Sequence, residues 1–230
     1  MTEKIKPYKG TTPKGVFKYP KLVEPDYGTK DYPDPDGSYK VTLVMPQAEA
    51  QKLIKQLQPE FDKAVEAGRE AFAKLPVAVR KKLGDLKVAD FYTQVYDKET
   101  EEPTGEIEFK FKTKASGTTK EGKAWERKVP LFDAKGVPAK NIKAIWGGTE
   151  GKVSFSAVPY FVAGLGTAGL SLRLEAVQIL KLSAGGERSA SEFGFVQEEG
   201  DFDATEASLG LTDEDEGGAD DTPADSNDDF

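Results

Sequence analysis

Residues 106–116, E-I-E-F-K-F-K-T-K-A-S, decide the fold class because apolar and charged side chains alternate strictly along them. Successive residues of a β-strand point to opposite faces of a sheet, so this alternation predicts a strand with one buried and one exposed face. One face would carry Ile107, Phe109, Phe111 and Thr113, and the other would carry Glu108, Lys110, Lys112 and Lys114. Such a basic face is typical either of a solvated or edge-protected strand or of a surface on which a polyanion lies.

The remaining chain supplies further short segments of this kind, separated by turns rich in Gly, Pro and Asp. Strands are predicted for residues 16–23, 38–45, 89–96, 123–132, 152–158 and 169–182, with a loop at 24–37. One helix-rich insertion begins at Pro46 and carries an apolar stripe, and Pro59 should kink or divide it. Many short strands with one such insertion favour a small, closed, mainly antiparallel β-barrel over a doubly wound sheet.

Charge is distributed unevenly along the 230 residues. The whole chain has 40 Asp and Glu against 32 Lys and Arg. Residues 198–230 contain 14 of these acids and no base, for a net charge of −14, whereas residues 1–197 have 26 acids and 32 bases, for a net charge of +6. A mildly basic body joined to a strongly acidic tail is typical of proteins whose partner is a nucleic acid.

The chain has no Cys and no His. Disulfides, thiolate chemistry, the usual zinc sites and Ser-His-Asp or Cys-His catalysis are therefore excluded. Asp26, Asp31, Asp34 and Asp36 cluster, but they lack EF-hand spacing and are typical of turns, so we expect no metal and no cofactor. The N-terminal residues show no apolar signal segment and no run approaches 18 apolar residues, which predicts a soluble, cytoplasmic protein.

These patterns divide the chain into three parts. Residues 1–15 are a flexible basic arm, residues 16–182 are the barrel domain, and residues 183–230 are a disordered acidic tail. The tail ends in Asp228, Asp229 and Phe230, which we interpret as a hook whose ring enters an apolar pocket on a partner protein. Two other interpretations remain open, in which the tail covers the basic surface of the body or serves only solubility.

Non-specific binding of single strands needs cations that follow the phosphates and exposed rings on which bases stack. Trp146 and Tyr160, each beside Pro or Gly in a predicted loop, are the first candidates for stacking, ahead of Trp125 and Tyr92. Core packing is the alternative role for each of these rings. The candidate DNA-binding residues are Lys110, Lys112, Lys114, Lys123, Arg127, Lys128, Trp146, Lys152, Tyr160 and Arg173.

Several short motifs, in this order, resemble the single-stranded DNA-binding proteins of short-tailed (podovirus-type) bacteriophages. The motifs are E-P-D-Y-G at 24–28, G-S-Y-K-V-T-L at 37–43, F-K-F-K-T-K-A-S at 109–116, W-G-G at 146–148 and V-S-F-S-A-V-P-Y at 153–160, followed by the acidic tail with its terminal Phe. Pro59 and the Gly-rich, apolar segment after Tyr160 depart from the family pattern and bear on the helix length and on a second aromatic contact.

The resemblance implies an OB-fold, a five-stranded antiparallel Greek-key barrel, with an inserted α-helix. It implies a non-enzymatic, sequence-tolerant single-stranded DNA-binding protein that acts in phage DNA replication, recombination and repair in the host cytoplasm. The tail would recruit replication proteins such as polymerase and helicase/primase, and it would mediate homodimer formation and competition with DNA. The residues that the resemblance assigns to these contacts are Lys110, Lys112, Tyr160 and Phe230.

Two other functions remain open on the residues alone. An adaptor would bind RNA or a polypeptide on an OB-like barrel and recruit proteins through its tail. A metal-dependent nuclease would rest only on carboxylates of the loop and the tail, which lack the rigid positioning that a metal site needs. Competition between matched DNA and RNA strands separates the adaptor from the DNA-binding protein.

Overall fold

The computed structural model describes residues 7–140 and 142–183. Asp228, Asp229 and Phe230 lie outside the described residues, as does all of the predicted tail after Ser183. The helices are α1 (Gln47–Ala73) and α2 (Val77–Leu83). The strands are β1 (Tyr8–Thr11), β2 (Gly15–Gly28), β3 (Pro33–Pro46), β4 (Lys87–Ala89), β5 (Thr93–Tyr96), β6 (Pro103–Lys114), β7 (Ser116–Thr118), β8 (Ala124–Glu126), β9 (Leu131–Phe132), β10 (Glu150–Val162) and β11 (Thr167–Lys181).

Five of these strands close into a barrel. Their order around the barrel is β2, β3, β6, β11 and β10, and the pairing of β10 with β2 completes the circle. Four of the five pairings are antiparallel, and the pairing of β6 with β11 is parallel. With helix α1 inserted between β3 and β6, this architecture confirms the predicted OB-fold.

Strand β6 alternates as its sequence predicts. Its inward side chains are Ile107, Phe109, Phe111 and Thr113, and its exposed lysines are Lys110, Lys112 and Lys114. The inward rings join the barrel core, where the ring centroids of Phe111 and Phe155 lie 5.5 Å apart. Burial of a Phe side chain contributes about 1.5–3 kcal/mol, so packing in the core determines which face of β6 points to solvent.

The predicted loop at residues 24–37 is wrong. Strand β2 continues to Gly28 and β3 starts at Pro33, so the turn is confined to residues 29–32, where the Thr29 N–H donates a hydrogen bond to the Tyr32 carbonyl (3.1 Å). The register between the two strands shifts three times, and such bulges accommodate Pro and Gly residues that a regular ladder excludes. The outcome is a long β2–β3 hairpin whose tip is rich in Asp.

Helix α1 lies against β10 and β11. Pro59 lies inside this one continuous helix, so of the two predicted effects, a kink or a division, the division is wrong. Proline has no N–H to donate to the carbonyl of Lys55, four residues before it. Because Pro59 and Lys55 are both exposed, water can satisfy that carbonyl. The apolar stripe of the helix is buried on both sides of the proline. Gly68 lets the helix approach the sheet closely, because a Cβ there would collide with the Ala168 side chain.

Part of the predicted flexible arm belongs to the sheet. Residues 8–11 form β1 and pair antiparallel with β10, with Tyr8 opposite Ala157 and the Tyr8 ring centroid 6.4 Å from that of Phe155. The prediction is therefore wrong for this segment, because the strand ladder and the aromatic contact offset the entropy lost on ordering it. Residues 1–6 lie outside the described residues.

Two connections also differ from the prediction. The return strand predicted at 123–132 is reduced to β8, which pairs with β7, and to the two residues of β9 beside β11. The Gly-rich link predicted after residue 158 is a tight turn at 163–166, because β10 extends to Val162 and β11 starts at Thr167. Across the part of the chain that the structure describes, no helix is long and apolar enough to span a membrane.

Candidate nucleic-acid interface

The strand register aligns basic side chains in one row across the outer face of the barrel. Starting from β2, successive in-register residues are Lys21, Lys40, Lys112, Arg173, Ser156 and Lys9. In-register residues of neighbouring strands share a face and lie about 4.8 Å apart, so the path through these six positions, which follows the curved wall of the barrel, is roughly 24 Å long. We call them the basic row, since every member except the serine is cationic.

Lys110 and Lys114 extend the basic row along β6. Each lies two residues from Lys112, about 7 Å along the strand, on the same outer face. The Lys110 ammonium lies 3.8 Å from the Glu108 carboxylate, which Lys18 on β2 also approaches at 3.8 Å. The outward orientation of the three predicted lysines is confirmed, and their role in DNA binding stays a prediction.

The tip of the β2–β3 hairpin places carboxylates against these lysines. The ion pairs are Asp26 with Lys40, Asp34 with Lys112, and Asp36 with Lys114. In the second pair, the carboxylate oxygen lies 3.2 Å from the ammonium nitrogen. We call the three Asp residues the hairpin carboxylates. Their partners are lysines, and within residues 7–140 and 142–183 no group of three or more His, Cys, Asp or Glu side chains is placed to hold a metal ion.

The lysines hold the pKa of Asp26 and Asp34 below the ordinary value of 3.8. For Asp26 the main cause is the hydrogen bond from Lys40, followed by a hydrogen bond from the Gly28 N–H. For Asp34 the main cause is the hydrogen bond from Lys112. Both carboxylates are therefore ionised at neutral pH, and they reduce the positive potential of the row where they contact it.

The cations of the row differ in this respect: Lys40 and Lys112 are paired with hairpin carboxylates, whereas Lys21, at the end of the row on β2, forms no ion pair with any residue that the structure describes. At the hairpin, Asp36 raises the pKa of Lys114 above 10.5, mainly through a hydrogen bond. On β11 and β1, Arg173 and Lys9 form no ion pair with any residue that the structure describes. Between Arg173 and Lys9, the buried Ser156 hydroxyl donates a hydrogen bond to the Glu175 carboxylate (2.7 Å), so the carboxylate at this part of the row is held by a hydroxyl and not by a cation of the row.

Arg127 and Lys128 border a cleft of about 520 Å³ beside the hairpin tip. The Arg127 guanidinium lies 5.7 Å from the ring centroid of Trp125 and donates a hydrogen bond to Oγ1 of Thr113 at 2.9 Å. Trp125 in turn lies against Gly117, its partner across the β7–β8 pair. In this arrangement Trp125 supports a cation at the edge of the cleft.

Trp146 is in the loop before β10, where the sequence predicts it, and about half of it (52%) is exposed. It borders a second cleft, of about 250 Å³, together with Lys21 and Lys143. The indole therefore lies next to a lysine of the basic row, at the end of the row on β2.

Tyr160 lies on β10, so its predicted loop position is wrong. It pairs with Gly169, and its ring covers that glycine, because a Cβ there would lie 2.9 Å from the Tyr160 hydroxyl. The β10–β11 register does not shift between Phe155 and Val162, so Tyr160 shares the outer face with Ser156, four residues and about 13 Å away along the strand.

Lys123 and Lys152 lie away from the row. Lys123 is exposed at the turn between β7 and β8. Lys152 is half-buried on β10, where it lines a cleft with Phe132 and Gln178. A register shift separates Lys152 from the part of β10 that contributes to the row. Of the predicted cations, Lys112 and Arg173 are the ones that the register aligns within the row itself.

Sequence reasoning missed three members of the basic row, Lys9, Lys21 and Lys40. The alternation of residues 39–45 contains a signal for Lys40, because it places that lysine opposite the buried face. Lys9 has no such signal because it falls in the predicted arm, and Lys21 lies between two register shifts of β2. Tyr27, 59% exposed at the hairpin tip, was also missed, although it stands beside Gly28 in a predicted loop and so carries the same signal that selected Trp146 and Tyr160.

Comparison with known proteins relates this barrel to phage proteins. A family model described as the single-stranded DNA-binding protein of bacteriophage T7 matches residues 15–182. The single-stranded DNA-binding protein of Escherichia phage T7 is 30% identical over 176 residues, 74% of each chain, and that of Enterobacteria phage T3 is 28% identical over 194 residues, 82% of each chain. The crystal structure of gp2.5, a single-stranded DNA-binding protein encoded by bacteriophage T7, is similar with a TM-score of 0.63 and 25% identity, covering 83% of this chain and 98% of that chain.

The matched residues contain the whole barrel, from the first residue of β2 to the residue after β11. They include helix α1, the hairpin carboxylates and every member of the basic row except Lys9. The match agrees with the resemblance carried by the sequence motifs. The chain belongs to the family of single-stranded DNA-binding proteins represented by that of bacteriophage T7.

Proposed function

We propose that this protein binds single-stranded DNA along the basic row, without strong sequence preference and without enzymatic activity. The row is the observation that carries the proposal, because it aligns five cations across the outer face of an OB barrel. Lys and Arg side chains that neutralise phosphates supply affinity without reading the bases. The relatives and the similar crystal structure are all named single-stranded DNA-binding proteins, which supports the proposal.

The proposed stacking rings are Trp146 and Tyr160. Trp146 lies beside Lys21 at one end of the row, and Tyr160 lies on the outer face of β10. Stacking of a base on an aromatic ring contributes about 1–3 kcal/mol, and it tolerates any base. The other predicted cations would extend the phosphate contacts beyond the row; they are Lys110, Lys114, Lys123, Arg127, Lys128 and Lys152.

The proposal extends to a role in phage DNA replication, recombination and repair in the host cytoplasm. The acidic residues 198–230 would recruit replication proteins, such as polymerase and helicase/primase, compete with DNA for the basic body and mediate homodimer formation. The support is electrostatic: a net charge of −14 on that segment can pair with the net +6 of the preceding residues or with a basic partner protein.

Intrinsic Trp fluorescence, titrated with oligo-dT at several salt concentrations, tests the proposal. Trp146 borders the cleft with Lys21, so we expect DNA to change its emission. The affinity should fall with a log–log salt slope of about −0.7 for each phosphate contacted. Salt-independent binding, or a preference for duplex of equal length, would contradict the mechanism.

Two further measurements address the finer claims. A chain ending at Gln197 retains both Trp residues, and tighter binding by this chain would support competition between the acidic segment and DNA. Equal binding would leave the segment with partner recruitment only. Oligo-dT is also competed with oligo-U of the same length. Tighter binding of oligo-U would contradict the proposed DNA-binding function and favour the adaptor function.

A further inference from the structure

A cleft of about 520 Å³ lies between the β2–β3 hairpin tip and the segment that follows β8. Its lining combines apolar groups, two cations and one carboxylate, among them Pro25, Tyr27, Pro35, Glu126, Arg127 and Lys128. The volume is within the range of small-ligand sites, and the mixture of a ring, prolines and cations suits a nucleotide better than an apolar ligand. We propose that this cleft is a subsite that holds one nucleotide of the bound strand, with its base stacked on Tyr27 and its phosphate on Arg127 and Lys128. This inference rests on the proposed function.

Tyr27 is built as a platform for stacking. Its ring lies over Gly37, where a Cβ would come within 2.8 Å of the ring atom Cε1 and 3.2 Å of the Pro25 side chain. Gly37 also has a φ of +64°, a conformation that other residues rarely adopt. Both the close contact with the ring and the backbone conformation therefore require glycine at this position. With that support on one side, 59% of Tyr27 remains exposed. The ring is therefore held in place and still accessible to a base.

The hairpin tip is fixed relative to the opposite wall of the cleft. The Ala115 N–H donates a hydrogen bond to the Gly37 carbonyl (2.9 Å), and the Ser116 hydroxyl donates one to the Asp36 carbonyl (2.7 Å). The Arg127 N–H donates to the Ala115 carbonyl (2.7 Å), which joins the second wall to the same strand end. The two walls are thus anchored to one segment, and the width of the cleft does not depend on the turn alone.

Arg127 is positioned for a phosphate. Its guanidinium is held by the hydrogen bond to Thr113 and lies against the Trp125 ring, which leaves its remaining N–H groups free of any other described hydrogen bond. A planar guanidinium held in this way presents paired donors that match two oxygens of a phosphate. Lys128 adds a second positive charge to the same wall, and Glu126 supplies an acceptor for an amino group of a base.

The test compares Tyr27→Ala with Tyr96→Ala in the full-length protein. Tyr96 is a matched control, because it is 55% exposed on β5 and does not line this cleft. The probes are oligo-dT of roughly 16 nucleotides, the upper site size of one OB fold, and an abasic chain of the same length. We expect Tyr27→Ala to weaken binding of oligo-dT about tenfold and to leave binding of the abasic chain nearly unchanged. Tyr27→Phe, which keeps the ring, should bind oligo-dT as tightly as the wild type, and so should Tyr96→Ala.

Arg127→Lys provides a second readout, because a phosphate contact is shared by both probes. We expect it to weaken both by a similar factor of about three to five, and to lower the melting temperature slightly, because Lys does not reproduce the guanidinium contacts with Thr113 and Trp125. The subsite is refuted if Tyr27→Ala binds oligo-dT as well as Tyr96→Ala does, or if it loses affinity equally for both probes. Either result leaves the proposed function intact, whereas failure of the wild type to bind oligo-dT removes both.

Discussion

The two sides of the basic row are built from the same barrel, yet they differ in what surrounds their cations. On the hairpin side, Lys40 and Lys112 each have a carboxylate partner, Asp26 and Asp34. On β11, Arg173 has no ion-pair partner among the described residues, although it lies directly opposite Lys112 in the register. Lys112 and Arg173 are therefore neighbours across the β6–β11 pairing, yet only Lys112 has a carboxylate partner.

Register and the availability of charge are therefore set by different parts of the molecule. The barrel strands align the cations, whereas the β2–β3 hairpin decides how many of them a phosphate can use without competition. A phosphate that reaches Lys112 must replace or share the Asp34 carboxylate, so the net gain in binding free energy is smaller than at Arg173. We infer that the hairpin carboxylates act as built-in competitors of DNA.

The largest expected effect is that of Arg173→Ala. We expect this change to weaken oligo-dT binding about tenfold, equivalent to roughly 1.4 kcal/mol, and to reduce the salt slope by about 0.7. Lys112→Ala should weaken binding only about threefold, because a phosphate that contacts Lys112 would have to replace or share its existing ion pair with Asp34. Fluorescence titration at matched salt measures both.

Lys52→Ala is the control for loss of one positive charge, since Lys52 lies on helix α1 and pairs there with Glu49. We expect it to leave the affinity within a factor of about two of the wild type. If Lys112→Ala costs as much as Arg173→Ala, the hairpin does not compete and the comparison between the two sides fails.

Asp34→Asn should change the affinity for oligo-dT in the opposite direction, and by a smaller factor. Removing the carboxylate frees Lys112, so we expect binding to tighten by a factor of about two to five, the range of an exposed ion pair. In this background, Lys112→Ala should cost about as much as Arg173→Ala costs in the wild type. A double-mutant cycle on Asp34 and Lys112 measures that coupling directly.

Glu66→Gln is the matched control, because Glu66 is exposed on helix α1 and pairs with Arg69. It removes one negative charge from helix α1 and leaves the β2–β3 hairpin unchanged. Equal tightening by Glu66→Gln and Asp34→Asn would show that net charge, and not local competition, governs the affinity.

The strand at the centre of the fold could be predicted because its signal is local. Alternation over residues 106–116 determines both the burial of Phe109 and Phe111 and the exposure of Lys112. The hairpin could not be predicted in the same way, since Pro, Gly and Asp are individually typical of turns and the strand pairing that overrides them involves residues across three register shifts. Propensity is outweighed here by tertiary pairing.

The candidate site also depends on strand pairings that a local sequence pattern does not contain. Asp34 and Lys112 are 78 residues apart in sequence, and their contact exists only because β3 pairs with β6. The row itself depends on the register of five pairings, none of which a composition or a local pattern contains. Arg173 was selected by residue type alone, and the structure supplies the reason for its position.

The smallest expected effect is on stability in acid, and it isolates the same ion pairs without DNA. The pKa of Asp26 and of Asp34 is lowered in the folded protein, so their contribution to stability is present above the ordinary pKa of 3.8 and is lost as the pH falls through the lower folded value. Asp26→Asn combined with Asp34→Asn should therefore lower the melting temperature by about 1–2 °C at pH 7, and the difference from the wild type should shrink below pH 3.8. Asn at position 26 keeps an acceptor for the Gly28 N–H, so the turn is retained. A pH-independent difference in melting temperature would mean that the ionisation of these two carboxylates does not stabilise the hairpin, and their charge would then not be what opposes the DNA.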